Sequence, residues 1–85
     1  MSDAVRIALA DDQALVRAGL RALLEQQGIA IAFEADSGQA LLDALAAQPV
    51  DLVLSDIRMP GMDGIEALQA LRARGDATPV LLLTT

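Results

Sequence analysis

Asp51-Leu52-Val53-Leu54-Ser55-Asp56-Ile57-Arg58-Met59-Pro60-Gly61-Met62-Asp63-Gly64 is the stretch that decides how this chain is read. Leu52, Val53 and Leu54 stand in a row, the continuous apolar pattern of a strand covered on both faces. That strand is expected over Asp51–Ser55, with Asp56 the next residue out. Arg58–Gly64 is dense in turn formers, and the pair Asp63 and Glu66 has the spacing of a capping box. A helix therefore follows, with Ile65, Leu68 and Leu71 expected on its inner face.

Upstream, Val5–Ala10 is a short apolar run closed by Asp11-Asp12, which would end a buried strand. Val16, Leu20, Leu23 and Leu24 then repeat at helical spacing within Gln13–Gln27, and Gly28 sits where a C-terminal cap is wanted. Ile29–Ala35 alternates Ile29, Ile31 and Phe33 with alanines and reads as an edge strand with one packed face. Ser37 is placed to cap a helix over Gly38–Gln48 with Leu42, Leu45 and Ala46 inward, and Pro49 stops it. Downstream, Gly75–Pro79 is a loop and Val80–Leu83 a last strand ending at Thr84-Thr85.

Strands alternating with helices long enough for right-handed crossovers predict an open, doubly wound α/β fold with a parallel sheet. Ligands bind such sheets beyond the carboxyl ends of the strands, where strand order reverses. Asp11, Asp12, Asp56 and Thr84 all fall there.

Composition narrows the chemistry. The 85 residues are enough for one small domain, and Phe33 is their sole aromatic side chain, so the core must be aliphatic. A formal charge of −6 opposes binding of a phosphate backbone by this segment. With no cysteine and no histidine, carboxylates and hydroxyls are left to act. No apolar run is long enough to span a bilayer, and Met1-Ser2-Asp3-Ala4 lacks the pattern of a signal peptide, so a cytoplasmic location is expected.

Carboxylates from neighbouring strand ends repel one another unless a cation lies among them, and magnesium prefers such hard oxygen ligands. One carboxylate left free is a nucleophile toward phosphorus, giving an acyl phosphate. The Thr84 hydroxyl is placed to donate to the new phosphoryl group. Taken singly, each residue has a plainer role: Asp12 as a helix cap, Asp56 as a loop acid, Met59-Pro60-Gly61 as a turn and Thr84 as a strand-end residue. Their joint placement favours the site.

Ala10–Glu25, Asp51–Gly64 and Pro79–Thr85 together resemble the receiver domain of bacterial two-component response regulators, of the kind attached to NarL/LuxR-type outputs. The resemblance covers essentially the whole chain, 1–85, and implies a flavodoxin-like sheet of order 2-1-3-4. It implies that Asp56 is the phosphoacceptor, and that Asp11, Asp12, Asp56 and the backbone carbonyl of Arg58 hold Mg²⁺. Thr84 would be the switch hydroxyl, and Met59, Pro60 and Gly61 the loop beside the acceptor. The implied partner is a sensor histidine kinase, with Gln13 and Arg17 as docking residues. The plainer reading of Arg17 and Arg21 is solvated charge on the outer face of the first helix.

Measured against that family, the chain has four expected strands and three helices instead of five of each, and all six of its basic residues are arginines, so the family's lysine is missing. The expectation is a domain incomplete at its C-terminus, lacking the fifth strand and last two helices. An open final strand would then invite self-association, and phosphotransfer would be weak. Two other functions are weighed. A phosphatase of the haloacid dehalogenase type would need a second acid where Arg58 stands. A purely non-catalytic interaction module would make the carboxylates incidental.

Overall fold

The computed structural model describes residues 5–84, in which strands and helices alternate. β1 (Arg6–Ala10), β2 (Ala30–Ala35), β3 (Leu52–Asp56) and β4 (Val80–Leu83) form one sheet ordered β2-β1-β3-β4, with every pairing parallel. The connections are α1 (Ala14–Gln26), α2 (Gly38–Ala47) and α3 (Gly64–Ala73). This is the doubly wound order expected from the sequence, with its reversal of direction between β1 and β3. Among the described residues, no helix is long and apolar enough to cross a membrane.

Alternation along β1 assigns the two faces. Ile7 and Leu9 point with Leu54 toward α1, where Leu20 and Leu24 pack on them. Ala8 and Ala10 point the other way, and their small side chains leave room for Leu41, Leu42 and Leu45 of α2 and for Ala67 and Leu71 of α3. Along β1, then, the side facing one helix carries large residues and the side facing two helices carries small ones, while Phe33, Val53 and Val80 of the other strands complete the core under α2 and α3.

Helix ends follow local chemistry as read. The Ser37 hydroxyl accepts a hydrogen bond from the Ala40 amide, and Asp63 and Glu66 form a complete capping box. Gly28 adopts φ 78° and closes α1 in a Schellman motif, with the Gly28 and Ile29 amides donating to the carbonyls of Glu25 and Leu24. Gly75 closes α3 the same way, its amide and that of Asp76 donating to Arg72 and Leu71.

Helix faces and one strand face differ from the expectation. Leu23 is exposed, because α1 lies over the sheet on Leu20 and Leu24 alone. In α2, Leu41 is buried and Ala46 exposed. In α3 the inner face is Gly64, Ala67 and Leu71, while Ile65 is exposed. A close helix–sheet approach selects small residues there. Ile29, Ile31 and Phe33 do not share a face. Ile7 pairs with Ile31 but Ala8 pairs with Phe33, so Ala32 forms a bulge that sends Phe33 to the α2–α3 side. Val5 lies outside β1, Asp56 lies within β3, and Thr85 is outside the described residues.

Leu71, fully buried between α3 and the sheet, is the most direct test of this core. Leu71→Ala is expected to cost about 2–5 kcal/mol in urea unfolding. Leu23→Ala, on the exposed side of α1, should stay within about 0.5 kcal/mol of the parent.

Candidate metal centre

Parallel pairing puts Ala10 opposite Ser55, so Asp11 and Asp56 emerge at the same level beyond neighbouring strands. Asp11, Asp12 and Asp56 each contribute one carboxylate oxygen to a group in which all lie within 4.8 Å of one another. Asp11 and Asp56 are buried, at 3% and 5% exposure, and Asp12 faces solvent. Among the described residues, the ion pairs involve other acids and leave these carboxylates without an arginine partner. Hard oxygen donors on one rigid sheet edge, one side open to water, suit a small divalent cation that keeps part of its hydration shell.

Main-chain contacts fix the acids. The Asp11 amide donates to the Ala35 carbonyl at 3.0 Å, and its Oδ1 accepts from the Gln13 amide at 2.8 Å. That contact makes Gln13, not Asp12, the residue preceding the first turn of α1, and Asp12 has no capping role. Asp56 Oδ1 faces the Arg58 amide at 3.4 Å, and the Asp56 carbonyl accepts from the Ser55 hydroxyl at 2.9 Å. The Gly64 amide donates to the Ile57 carbonyl at 2.8 Å, drawing the start of α3 against the end of β3. A β-carbon at Gly64 would collide with the Asp56 carbonyl oxygen and press on Ser55 Oγ at 3.1 Å.

Two clefts adjoin the carboxylates. Asp12, Arg58, Met59, Pro60 and Asp63 line one, and Asp56, Ile57, Arg58 and Thr84 line the other. Thr84 thus shares a cleft with Asp56. Pro60 and Gly61 are exposed in the β3–α3 loop, whereas Met59 is buried in the core and Met62 packs against it. Loop packing is therefore their structural role.

Arg17 does not stand on the outer face of α1. Its side chain is only 19% exposed and pairs with Glu34 of β2 through Nε at 3.1 Å. Its Nη1 donates to the main-chain carbonyl of Asp11 at 2.6 Å. Arg21 reaches Glu34 from the next turn, at 2.6 Å, and also Glu25 at 3.4 Å. Gln13 is exposed at the mouth of the site. Helical spacing alone missed the Arg17 contacts, because the bulge at Ala32 is what places Glu34 opposite Leu9, on the α1 face.

The sequence profile of the response regulator receiver domain matches residues 7–85. The transcriptional regulatory protein FixJ of Bradyrhizobium diazoefficiens is 42% identical over 87% of this chain and 36% of its own length. The chain thus spans about a third of the length of such curated relatives. Among solved structures, the signal receiver domain of NarL from Mycobacterium tuberculosis superposes with a TM-score of 0.92 at 38% identity, over 98% of this chain and 68% of that one. RcsB from Salmonella enterica, bound to the rprA promoter in the presence of the phosphomimetic BeF₃⁻, gives 0.84 at 26% identity, over 94% and 68%.

Two predictions follow from the local geometry. Gly64→Ala should destabilise the chain by about 1–3 kcal/mol and shift the Asp56 and Ile57 amide resonances, whereas Gly19→Ala, on the exposed side of α1 with open space around it, should leave those resonances in place. The second concerns acid. Hydrogen bonds from Arg21 and then Arg17 hold the Glu34 carboxyl below the usual carboxylate value, against the opposing effect of burial. A lowered folded-state pKa stabilises the fold fully above the ordinary glutamate value, and that contribution is lost as pH falls from there through the lowered one. Urea midpoints followed from about pH 7 to about pH 3 should fall less steeply for Glu34→Gln than for the parent. Parallel curves would remove Glu34 from the acid response.

Proposed function

This chain belongs to the response regulator receiver domain family of two-component systems, and from that premise we propose that Asp56 is its phosphoacceptor. The observation that carries the reading is the position of Asp56. It is buried at the end of β3, beside two further carboxylates on one side and a cleft shared with Thr84 on the other.

Asp11, Asp12 and Asp56, joined by the Arg58 main-chain carbonyl, would hold Mg²⁺. Bound there, the ion supplies positive charge to offset that on the transferring oxygens. A free Asp56 oxygen attacks phosphorus as the bond from phosphorus to the donor breaks. The electron pair of that bond leaves with the donor, an imidazole when the donor is the phosphohistidine of a sensor kinase. The product is an acyl phosphate on Asp56, and the Thr84 hydroxyl donates to one of its oxygens. The phosphoryl group stays on the protein, so the chain acts as a switch and not as a turnover enzyme. The 85 residues hold no lysine to add a charge-assisted contact, so phosphotransfer by them alone is slow.

The kinase docks at the open mouth of the site, where Gln13 and Ala14 are exposed and Leu15 is 86% exposed. Arg17 would contribute there through the shape of α1, its guanidinium being engaged internally. The switch controls transcription from the cytoplasm through an output outside these residues, since a chain of charge −6 is a poor ligand for DNA. The outer edge of β4, with Leu81 53% exposed, offers a surface for self-association.

Incubation with acetyl phosphate and Mg²⁺ should add about 80 Da, one phosphoryl group, to the intact mass of a fraction of the chains. The adduct should be missing in Asp56→Asn and after removal of the metal with EDTA. An adduct that persists in Asp56→Asn would place the acceptor elsewhere.

A further inference from the structure

The geometry points to Arg17 as the positioning residue of the carboxylate site, a clamp whose guanidinium holds the Asp11–Asp12 peptide in place by anchoring it to Glu34 on β2. The inference rests on the metal-site reading above and adds a residue to it.

The carbonyl that Arg17 holds at 2.6 Å belongs to the peptide linking Asp11 to Asp12. That unit is planar, so fixing its oxygen fixes the direction in which the chain leaves Asp11 and presents Asp12. Asp11 has restraints of its own through its amide and its Oδ1. Asp12 is exposed, and among the described residues no side-chain hydrogen bond restrains it. The orientation of the Asp12 carboxylate toward Asp11 and Asp56 therefore depends on the plane that Arg17 holds.

Arg17 can hold that plane because it is itself anchored. Its Nε lies 3.1 Å from Glu34 Oε1, while Arg21 occupies Oε2 at 2.6 Å. Glu34 reaches both only because the bulge at Ala32 turns it to the α1 face; unbulged alternation would point it toward α2 and α3. A planar fork that donates in two directions at once suits the task, and an ammonium group does not reproduce it. Arg21 provides an internal comparison, sharing Glu34 but not touching Asp11.

The test is Mn²⁺ binding by the whole chain, read from the electron paramagnetic resonance of the free ion. It is run at a temperature at which circular dichroism shows each variant folded. Arg17→Ala should weaken binding by about tenfold or more, as loss of a partner that orients metal ligands does. Arg17→Lys should recover part of that loss, and Arg21→Ala should stay within about twofold of the parent, its exposed pairs contributing little. Equal affinity in Arg17→Ala and the parent overturns the clamp while leaving the metal site standing, and so does an equal loss in Arg21→Ala. Should Arg17→Ala not fold, Arg17→Lys decides, and parental affinity there also overturns the clamp. No Mn²⁺ binding by the parent removes the metal-site reading and the clamp with it.

Discussion

Parallel pairing of β1 with β3, Ala10 beside Ser55, is the contact on which the rest of this molecule depends. Because the strands run the same way, their carboxyl ends lie at one edge, and residues far apart in sequence become neighbours there. Asp11 and Asp56 meet for that reason. The same pairing demands a crossover on each face, which sets α1 against Ile7 and Leu9 and the other helices against Ala8 and Ala10. Burial holds Asp11 and Asp56 in place, and the exposed Asp12 leaves one side of the cluster open to water.

Close approach at that edge is bought with small residues. Gly64 lets α3 begin almost in contact with the Asp56 main chain, and Gly38 lets α2 begin against the β3–α3 loop, its amide bonded to the Met62 carbonyl at 3.1 Å. A β-carbon at Gly38 would lie 2.5 Å from that carbonyl oxygen. The loop bearing Arg58 is thus clamped between two helix starts, with Met59 plugged into the core beneath it. Its outer residues, Pro60 and Gly61, remain solvent-facing.

The carboxylates, the caps at Ser37 and Asp63 and the closing glycine at Gly28 were legible in the sequence, because each is a local signal of a few residues. Strand order followed from alternation of elements together with the family resemblance. Side-chain facing was less legible. Leu23 and Ile65 have the helical spacing of core residues, but which sector of a helix meets the sheet depends on how closely it docks, and Ala67 and Gly64 permit the closer approach. Phe33 and Glu34 were unreadable for a different reason. One extra residue at Ala32 inverts the faces of everything after it, and an alanine among alanines gives no sign of the bulge. The contacts of Arg17 depend on that inversion.

Convergence of Asp11, Asp12 and Asp56 into one divalent-cation site is the central claim, and Mn²⁺-induced line broadening in the amide spectrum of the chain tests it most directly. At substoichiometric Mn²⁺, the account predicts selective loss of the Asp11, Asp12, Gln13, Ile57 and Arg58 resonances. Those of Gly28, Asp51 and Gly75, at the opposite edge of the sheet, should stay sharp. Broadening spread evenly over the surface acids, or centred on Asp43 or Asp51, would contradict it.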